Sequence, residues 1–268
     1  MPTRGEVGER WSPLRTFPDI VVFQSKSRNQ VEWEGSEKTM TADLQAVLFD
    51  VDGTLVLSND AHAQAFSEAM KEAGYDVPPD KIWPLIGLGG KKLVQKLLPQ
   101  LSTEEADKLG KREGEIFLQD YLQGVQPAPG ARALLEFLQQ QGLRTAIATS
   151  AEQKILDALL QKAHVEDLIH AATTASDVSE SKPAPNVLDA TLEQLHLRPE
   201  QTVFVGDTPY DIESGQNAHV LVIGVRCGGW DDEQLKGAIA VYADPEDMLR
   251  HYSQSPLTHW SQVLSGSR

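Results

Sequence analysis

Gln45-Ala46-Val47-Leu48-Phe49-Asp50-Val51-Asp52-Gly53-Thr54 joins a short apolar run to an acidic, glycine-bearing turn. Consecutive apolar residues without alternation suit a strand buried on both faces of a parallel sheet, and the polar residues after Phe49 mark where that strand stops. Outward from here, Arg144 to Ala148, Thr202 to Val205 and Val220 to Val225 have the same form, with Leu168 to Ala172 and Ala238 to Tyr242 as weaker versions. Amphipathic stretches at Ala131 to Gln141, Ala151 to Ala163 and Pro185 to Leu195 fall between the later runs. Strands alternating with helices predict an α/β fold, a doubly wound and mostly parallel sheet.

One interval breaks the alternation. From Asp50 to Arg144, about ninety residues contain no convincing strand. Asp60 to Gly74, Pro79 to Ile86, Lys91 to Leu98 and Ser102 to Leu122 all read as helices, the last opened by a capping box of Ser102 and Glu105. Pro127, Pro129 and Gly130 close the interval. The expected organisation is a core domain from residues 44–58 and 127–252, a small α-helical cap domain inserted as 59–126, and a C-terminal tail at 253–268. Residues 1–43 lack sustained periodicity and read as a flexible extension, with Asp19 to Gln24 and Gln30 to Glu34 as a weak hairpin candidate. The extension lacks the apolar core of a secretory signal and carries acids that fit a transit peptide poorly.

The 268 residues carry 24 basic and 39 acidic side chains, a formal charge of −15. No general positive field is available to attract nucleic acid or an anionic membrane, so an anionic ligand must be held by a few local cations. Net charge leaves monomer and homodimer equally open. The single Cys227 excludes an internal disulfide and a cysteine-built metal cluster, and reads as a semi-buried side chain in a reducing, cytoplasmic setting.

In open α/β sheets ligands bind beyond the carboxyl ends of the strands. Those ends carry Asp50 and Asp52, then Thr149 and Ser150, then Lys182 before Pro183, then Asp207 with Asp211. Taken singly, each has a plainer explanation as a turn residue, a helix cap or a solvated lysine. Jointly, carboxylates crowded on one sheet edge repel one another unless a hard cation stands among them, most naturally Mg²⁺.

These four clusters, in this order, resemble the motifs of the haloacid dehalogenase-like superfamily over about Gln45 to Tyr252. The helical insertion after the first motif is similar to that of the phosphoglycolate phosphatase and β-phosphoglucomutase group. The resemblance implies a two-step phosphoryl transfer in which Asp50 is the nucleophile and Asp52 the general acid and base. It implies that Thr149 binds a phosphoryl oxygen, helped by main-chain amides after Asp50 and Thr149, at Val51 and Ser150, and that Lys182 neutralises charge. Mg²⁺ would be held by Asp50, the Asp52 carbonyl and Asp207, with Asp211 as a further or water-mediated ligand. Gly53 and Thr54 complete the expected phosphate turn. An intact Asp52 argues against dehalogenase and phosphonate-cleaving chemistry, because relatives of those kinds lack it.

The cap is expected to set the substrate. His62, twelve residues after Asp50, resembles a cap histidine of β-phosphoglucomutases that also recurs in phosphatases. Gly87-Leu88-Gly89-Gly90-Lys91-Lys92 is a glycine loop followed by two cations and suits an anionic substrate. Lys111 and Arg112 match a basic position of mutase relatives only loosely, and Gly90 stands where those relatives carry arginine. The reading is therefore a Mg²⁺-dependent phosphatase acting on a small phosphorylated metabolite, a sugar phosphate or phosphoglycolate-like compound. A β-phosphoglucomutase-type mutase and a catalytically silent phosphate-binding protein remain the alternatives. Trp230 reads as loop packing, and Arg226 as either a substrate-side cation or a salt-bridge partner.

Overall fold

The computed structural model describes residues 42–266. The expected hairpin at Asp19 to Gln24 and Gln30 to Glu34 lies outside them. Strand β1 (Ala46–Phe49) is followed by a two-residue strand β2 (Val56–Leu57), which opens the helical insertion. The insertion contains α1 (Asn59–Glu72), α2 (Pro79–Ile82), α3 (Gly90–Leu97) and α4 (Thr103–Ile116), and closes at β3 (Gln126–Pro127). The core continues as α5 (Ala131–Gln140), β4 (Arg144–Ala148), α6 (Gln153–Ala163), β5 (Ala171–Thr173), α7 (Asn186–Leu195), β6 (Thr202–Gly206), α8 (Pro209–Asn217), β7 (Leu221–Val225) and β8 (Ala240–Tyr242). Helices α9 (Pro245–Arg250) and α10 (Trp260–Gly266) follow.

The six core strands are parallel in the order β5-β4-β1-β6-β7-β8. The chain runs from β1 outward to β5, then returns beside β1 and runs outward to β8. The order therefore reverses at β1, and a crevice opens beyond its carboxyl end. Every residue of β1 is fully buried, and its side chains alternate between two apolar clusters. Val47 and Phe49 join Leu134, Leu135 and Leu156 on one face, while Ala46 and Leu48 meet Val187, Leu188 and Phe204 on the other. Burial on both faces explains the uninterrupted apolar run.

Several elements differ locally from their sequence reading. The strand expected at Leu168 to Ala172 starts only at Ala171, because the Leu168 carbonyl accepts from the side chains of Thr145 and Gln139 and Glu166–Leu168 forms a 3₁₀ turn. The helix expected through Ile86 passes into a 3₁₀ turn at Trp83–Leu85, where Pro84 has no N–H to continue the ladder. Helix α4 passes into a π-helical turn at Phe117–Tyr121. Two short strands that pattern reading missed, β2 and β3, pair antiparallel at the mouth of the insertion. Two residues are too few to show a period.

The insertion is an α-helical cap seated over the core. Ser102 accepts from the Glu105 amide while the Glu105 carboxylate accepts from the Ser102 amide, so the expected capping box opens α4. Helices α3 and α4 approach closely at Gly90 and Gly110, where a Cβ on Gly110 would lie 3.4 Å from the Gly90 backbone. The cap also reaches the core through Trp83, whose ring stands 5.2 Å from that of Trp230, and through Tyr210, which donates to the Pro84 carbonyl at 2.9 Å. At the other end of the chain Trp260 is buried, and its indole donates to the Glu200 carbonyl at 2.8 Å, so the segment after residue 252 packs on the core. Among the described residues, no helix is long and apolar enough to cross a membrane.

Candidate active site

Asp50 follows β1 directly, and Asp207 follows β6, its neighbour in the sheet. The turn after Asp50 is built around Asp207. Thr54 donates from its hydroxyl to Asp207 Oδ1 at 3.1 Å, and Asn59 donates from Nδ2 to Oδ2 at 2.9 Å. Gly53 lies beneath this pair with φ +75°, and a Cβ there would fall 2.1 Å from Asp207 Oδ2. Both the left-handed backbone and the contact admit only glycine.

Asp211 serves two purposes. Its Oδ2 accepts from the amide of Thr208 at 3.0 Å and from its hydroxyl at 2.7 Å, in the capping box that opens α8. Its Oδ1 lies 2.8 Å from Lys182 Nζ, which also pairs closely with Asp50 Oδ1. Lys182 is 1% exposed, sits 5.1 Å above the Phe204 ring and follows a loop closing with a cis Lys182–Pro183 bond.

Carboxylate oxygens of Asp50, Asp207 and Asp211 all lie within 4.8 Å of one another. Burial pushes Asp50 up to about 7 against the pull of Lys182. Burial, then Asp211, then Asp50 raise Asp207 well above the ordinary carboxylate range. Three buried carboxylates thus stand together with one ammonium, which pairs with Asp50 and Asp211. A set of hard oxygen donors short of positive charge is the chemistry that accepts a divalent cation. Asp50 keeps one oxygen without a partner among the described residues, whereas both oxygens of Asp207 face Thr54 and Asn59 and both of Asp211 face Thr208 and Lys182.

Asp52 is held differently. Its Oδ1 accepts from the Ser58 hydroxyl at 2.6 Å and pairs with His62 Nε2 at 3.0 Å. His62 Nδ1 in turn pairs with Glu113 Oε1 at 2.7 Å, and its ring stacks on Phe117 at 3.9 Å and 8°. Burial disfavours charge on His62, but Asp52 and Glu113 outweigh it and raise the imidazole to about 10. Burial also raises Asp52, yet the His62 charge and the bonds from His62 and Ser58 win, and its carboxyl falls below the ordinary range.

A cavity of about 340 Å³ lies between cap and core. Asp50, Asp52, His62, Thr149, Ser150, Lys91 and Lys92 line it, with Lys182, Asp207 and Asp211 buried beneath. The Ser150 hydroxyl is buried without a hydrogen-bond partner, and Thr149 Oγ1 accepts from the Ala151 amide at 3.1 Å. Among the described residues, no main-chain acceptor takes the Val51 or Ser150 amide.

Two sequence expectations, those for Thr54 and Lys92, need correction. Thr54 is not a wall of the cavity, because its hydroxyl is spent on Asp207. Gly53 is set under Asp207, and the Val51 side chain belongs to the apolar core. Lys92 lines the cavity, but its Nζ is taken by the Ser181 carbonyl at 2.7 Å and Glu180 at 2.8 Å. Lys91 has no ion pair among the described residues. Lys111 pairs with Asp107, Arg112 with Glu72 and Glu115, and Arg226 with Asp232. Trp230 packs against Trp83, as loop packing requires.

Sequence reasoning missed Ser58, Asn59 and Glu113. The polar pair Ser58-Asn59 shortly after the first strand was a usable signal. Glu113 had none, because it meets His62 from 51 residues away.

A doubly wound α/β core, a helical cap over the ends of its strands and two aspartates two residues apart beyond the first strand define a hydrolase of the capped, Rossmann-like type. Residues 47–225 match the haloacid dehalogenase-like hydrolase family, and the chain belongs to it. A phosphoglycolate phosphatase of Aquifex aeolicus is 34% identical over 184 residues, covering 65% of this chain and 81% of that one. A phosphorylated carbohydrates phosphatase of Thermotoga maritima is 25% identical over 210 residues, covering 77% and 97%. The crystal structure of a hydrolase from Pseudomonas syringae superimposes with a TM-score of 0.74 at 26% identity, covering 78% of this chain and 98% of that one.

Proposed function

We propose that the protein is a Mg²⁺-dependent phosphatase that hydrolyses a small phosphorylated metabolite through a phosphorylated Asp50. The observation that carries this reading is the division of labour between the two aspartates. Asp50 sits among buried carboxylates and Lys182, whereas Asp52 lines the same cavity with one oxygen engaged by Ser58 and His62.

In the first step an oxygen of Asp50 attacks phosphorus, the bond to the leaving oxygen breaks, and Asp52 delivers a proton to that oxygen. In the second step water attacks phosphorus, Asp52 accepts its proton, and the Asp50–phosphorus bond breaks to release phosphate. Asp52, ionised in the empty site, takes up a proton from solvent as the negative charge of the arriving phosphoryl group raises its proton affinity, so it enters the first step as the acid and is restored to it by the proton of the attacking water. Thr149, Ser150 and the amides of Val51 and Ser150 supply donors for phosphoryl oxygens. Lys182 shields Asp50 from the phosphate it must approach. Asp50, Asp207 and the Asp52 carbonyl would hold Mg²⁺, with Asp211 as a more distant or water-mediated ligand, and the ion when bound supplies charge neutralisation.

The small volume of the cavity and Lys91, which has no ion pair among the described residues, suit a compact substrate with at most one further anionic group. Phosphoglycolate and simple sugar phosphates meet that description, and relatives named for each kind support it. The test is phosphate release from a panel of phosphorylated metabolites with Mg²⁺ and then with chelator, alongside Asp50→Asn. Metal-dependent release that disappears in the variant is expected. Isomerisation of a sugar phosphate without free phosphate would establish a mutase instead. No turnover of any compound would indicate a silent binding protein.

A further inference from the structure

We infer that Glu113 is a positioning residue that fixes the His62 ring and, through it, the carboxylate of Asp52. The inference deepens the reading of Asp52 as general acid and base and rests on it.

Glu113 and Phe117 are four residues apart and project from the same side of the α4 turn. Together they clasp one residue of α1. Phe117 covers the face of the His62 ring at 3.9 Å, and Glu113 Oε1 takes its Nδ1 at 2.7 Å. An imidazole held by one face and one nitrogen has a single direction left for the other nitrogen. That direction is Asp52 Oδ1, 3.0 Å from Nε2. Ser58 is the second donor to the same oxygen, at 2.6 Å. Both donors hold Oδ1, and Oδ2, without a side-chain partner among the described residues, is left for the reacting group.

The burial of Glu113 supports this assignment. It is 4% exposed and His62 is 7% exposed, although both border the cavity. A carboxylate so placed is tolerated only with a charged or hydrogen-bonding partner, and among the described residues His62 is the only one recorded for it. The arrangement also sets the His62 ring, in the wall of the cavity, between two carboxylates.

Without Glu113 the ring is free to turn about its bond to Cβ, Nε2 swings from Asp52, and the carboxylate keeps only Ser58. Misplacement of an acid/base group by an ångström costs about 100-fold in turnover.

The experiment compares Glu113→Gln, which keeps an acceptor oxygen for Nδ1–H, with Glu113→Leu, which fills the same space and offers none. On the best phosphorylated substrate of the panel, Glu113→Leu is expected to lose about 10- to 100-fold in kcat with KM within about twofold, and Glu113→Gln to retain most of kcat. The His62 Nδ1–H proton resonance reads the geometry independently of turnover. It should persist in the native protein and Glu113→Gln and vanish in Glu113→Leu. Unchanged kcat in Glu113→Leu overturns the inference, as does equal loss in both variants. If Glu113→Leu does not fold, loss of the resonance or of kcat in Glu113→Gln overturns it by itself. Asp50→Asn separates the two levels: turnover surviving in that variant refutes the phosphorylated-aspartate reading, whereas its loss beside a normal Glu113→Leu refutes only the role of Glu113.

Discussion

Lys92, on the cap helix α3, donates to the main-chain carbonyl of Ser181 at 2.7 Å, and Ser181 immediately precedes the buried Lys182. The contact ties the cap to the loop that positions the ammonium beside Asp50. A neighbouring lysine, Lys91, lines the same cavity without an ion pair among the described residues. Two adjacent cations that look equivalent in the chain therefore stand in different surroundings.

Lys91→Ala is expected to raise KM about tenfold or more with kcat near the native value, as loss of a charge-assisted contact to substrate predicts. Lys92→Ala is expected to change kcat and KM together, because it loosens cap closure and not one substrate group. Steady-state kinetics on the best substrate checks both. An identical pattern in the two variants would remove the distinction.

The His62 imidazole should not titrate near neutrality. Its pKa of about 10 lies above the ~6.5 of an unfolded histidine, so its contribution to stability is full below ~6.5 and lost as pH rises through about 10. NMR of the ring should show the imidazolium at pH 7 and 8. Urea midpoints of the native protein and His62→Gln should converge as pH approaches 10. A ring transition near 6.5 contradicts the buried carboxylate sandwich.

Cys227 should be inert in the folded protein. Burial first, then Asp207 and Asp244, push its thiol up to about 12, and Sγ faces the Gly53 carbonyl at 3.1 Å. Alkylation at pH 8 needs thiolate. Iodoacetamide is expected to label the native protein slowly and the urea-unfolded protein quickly, and comparable rates would place the thiol in the open.

Gly53→Ala should damage stability and the metal site together. The left-handed φ of +75° costs an alanine about 1–2 kcal/mol, and its Cβ would collide with Asp207 Oδ2 at 2.1 Å. Thermal unfolding with and without Mg²⁺ measures both effects. A variant whose unfolding temperature still rises with Mg²⁺ as the native protein's does would show that the turn is not bound to the metal ligands.

Much of this protein was legible along the chain. The strand Ala46–Phe49 and the two aspartates after it, the helical interval, and the order of Thr149, Lys182 and Asp207 are all local or serial features. Periodicity and turn chemistry record backbone geometry directly, and the rule that ligands sit at the carboxyl ends of strands converts that geometry into a site. Tertiary structure alone decided how the side chains are shared. Thr54 and Asn59 both turn to Asp207, 153 and 148 residues away. Lys92 turns to Ser181, 89 residues away, and Glu113 turns to His62. Such pairings depend on how α1, α3 and α4 pack and on which rotamers their burial permits. Neither quantity is a function of spacing in the chain, so residues two apart can be read in advance, whereas a carboxylate on another helix becomes visible only after folding.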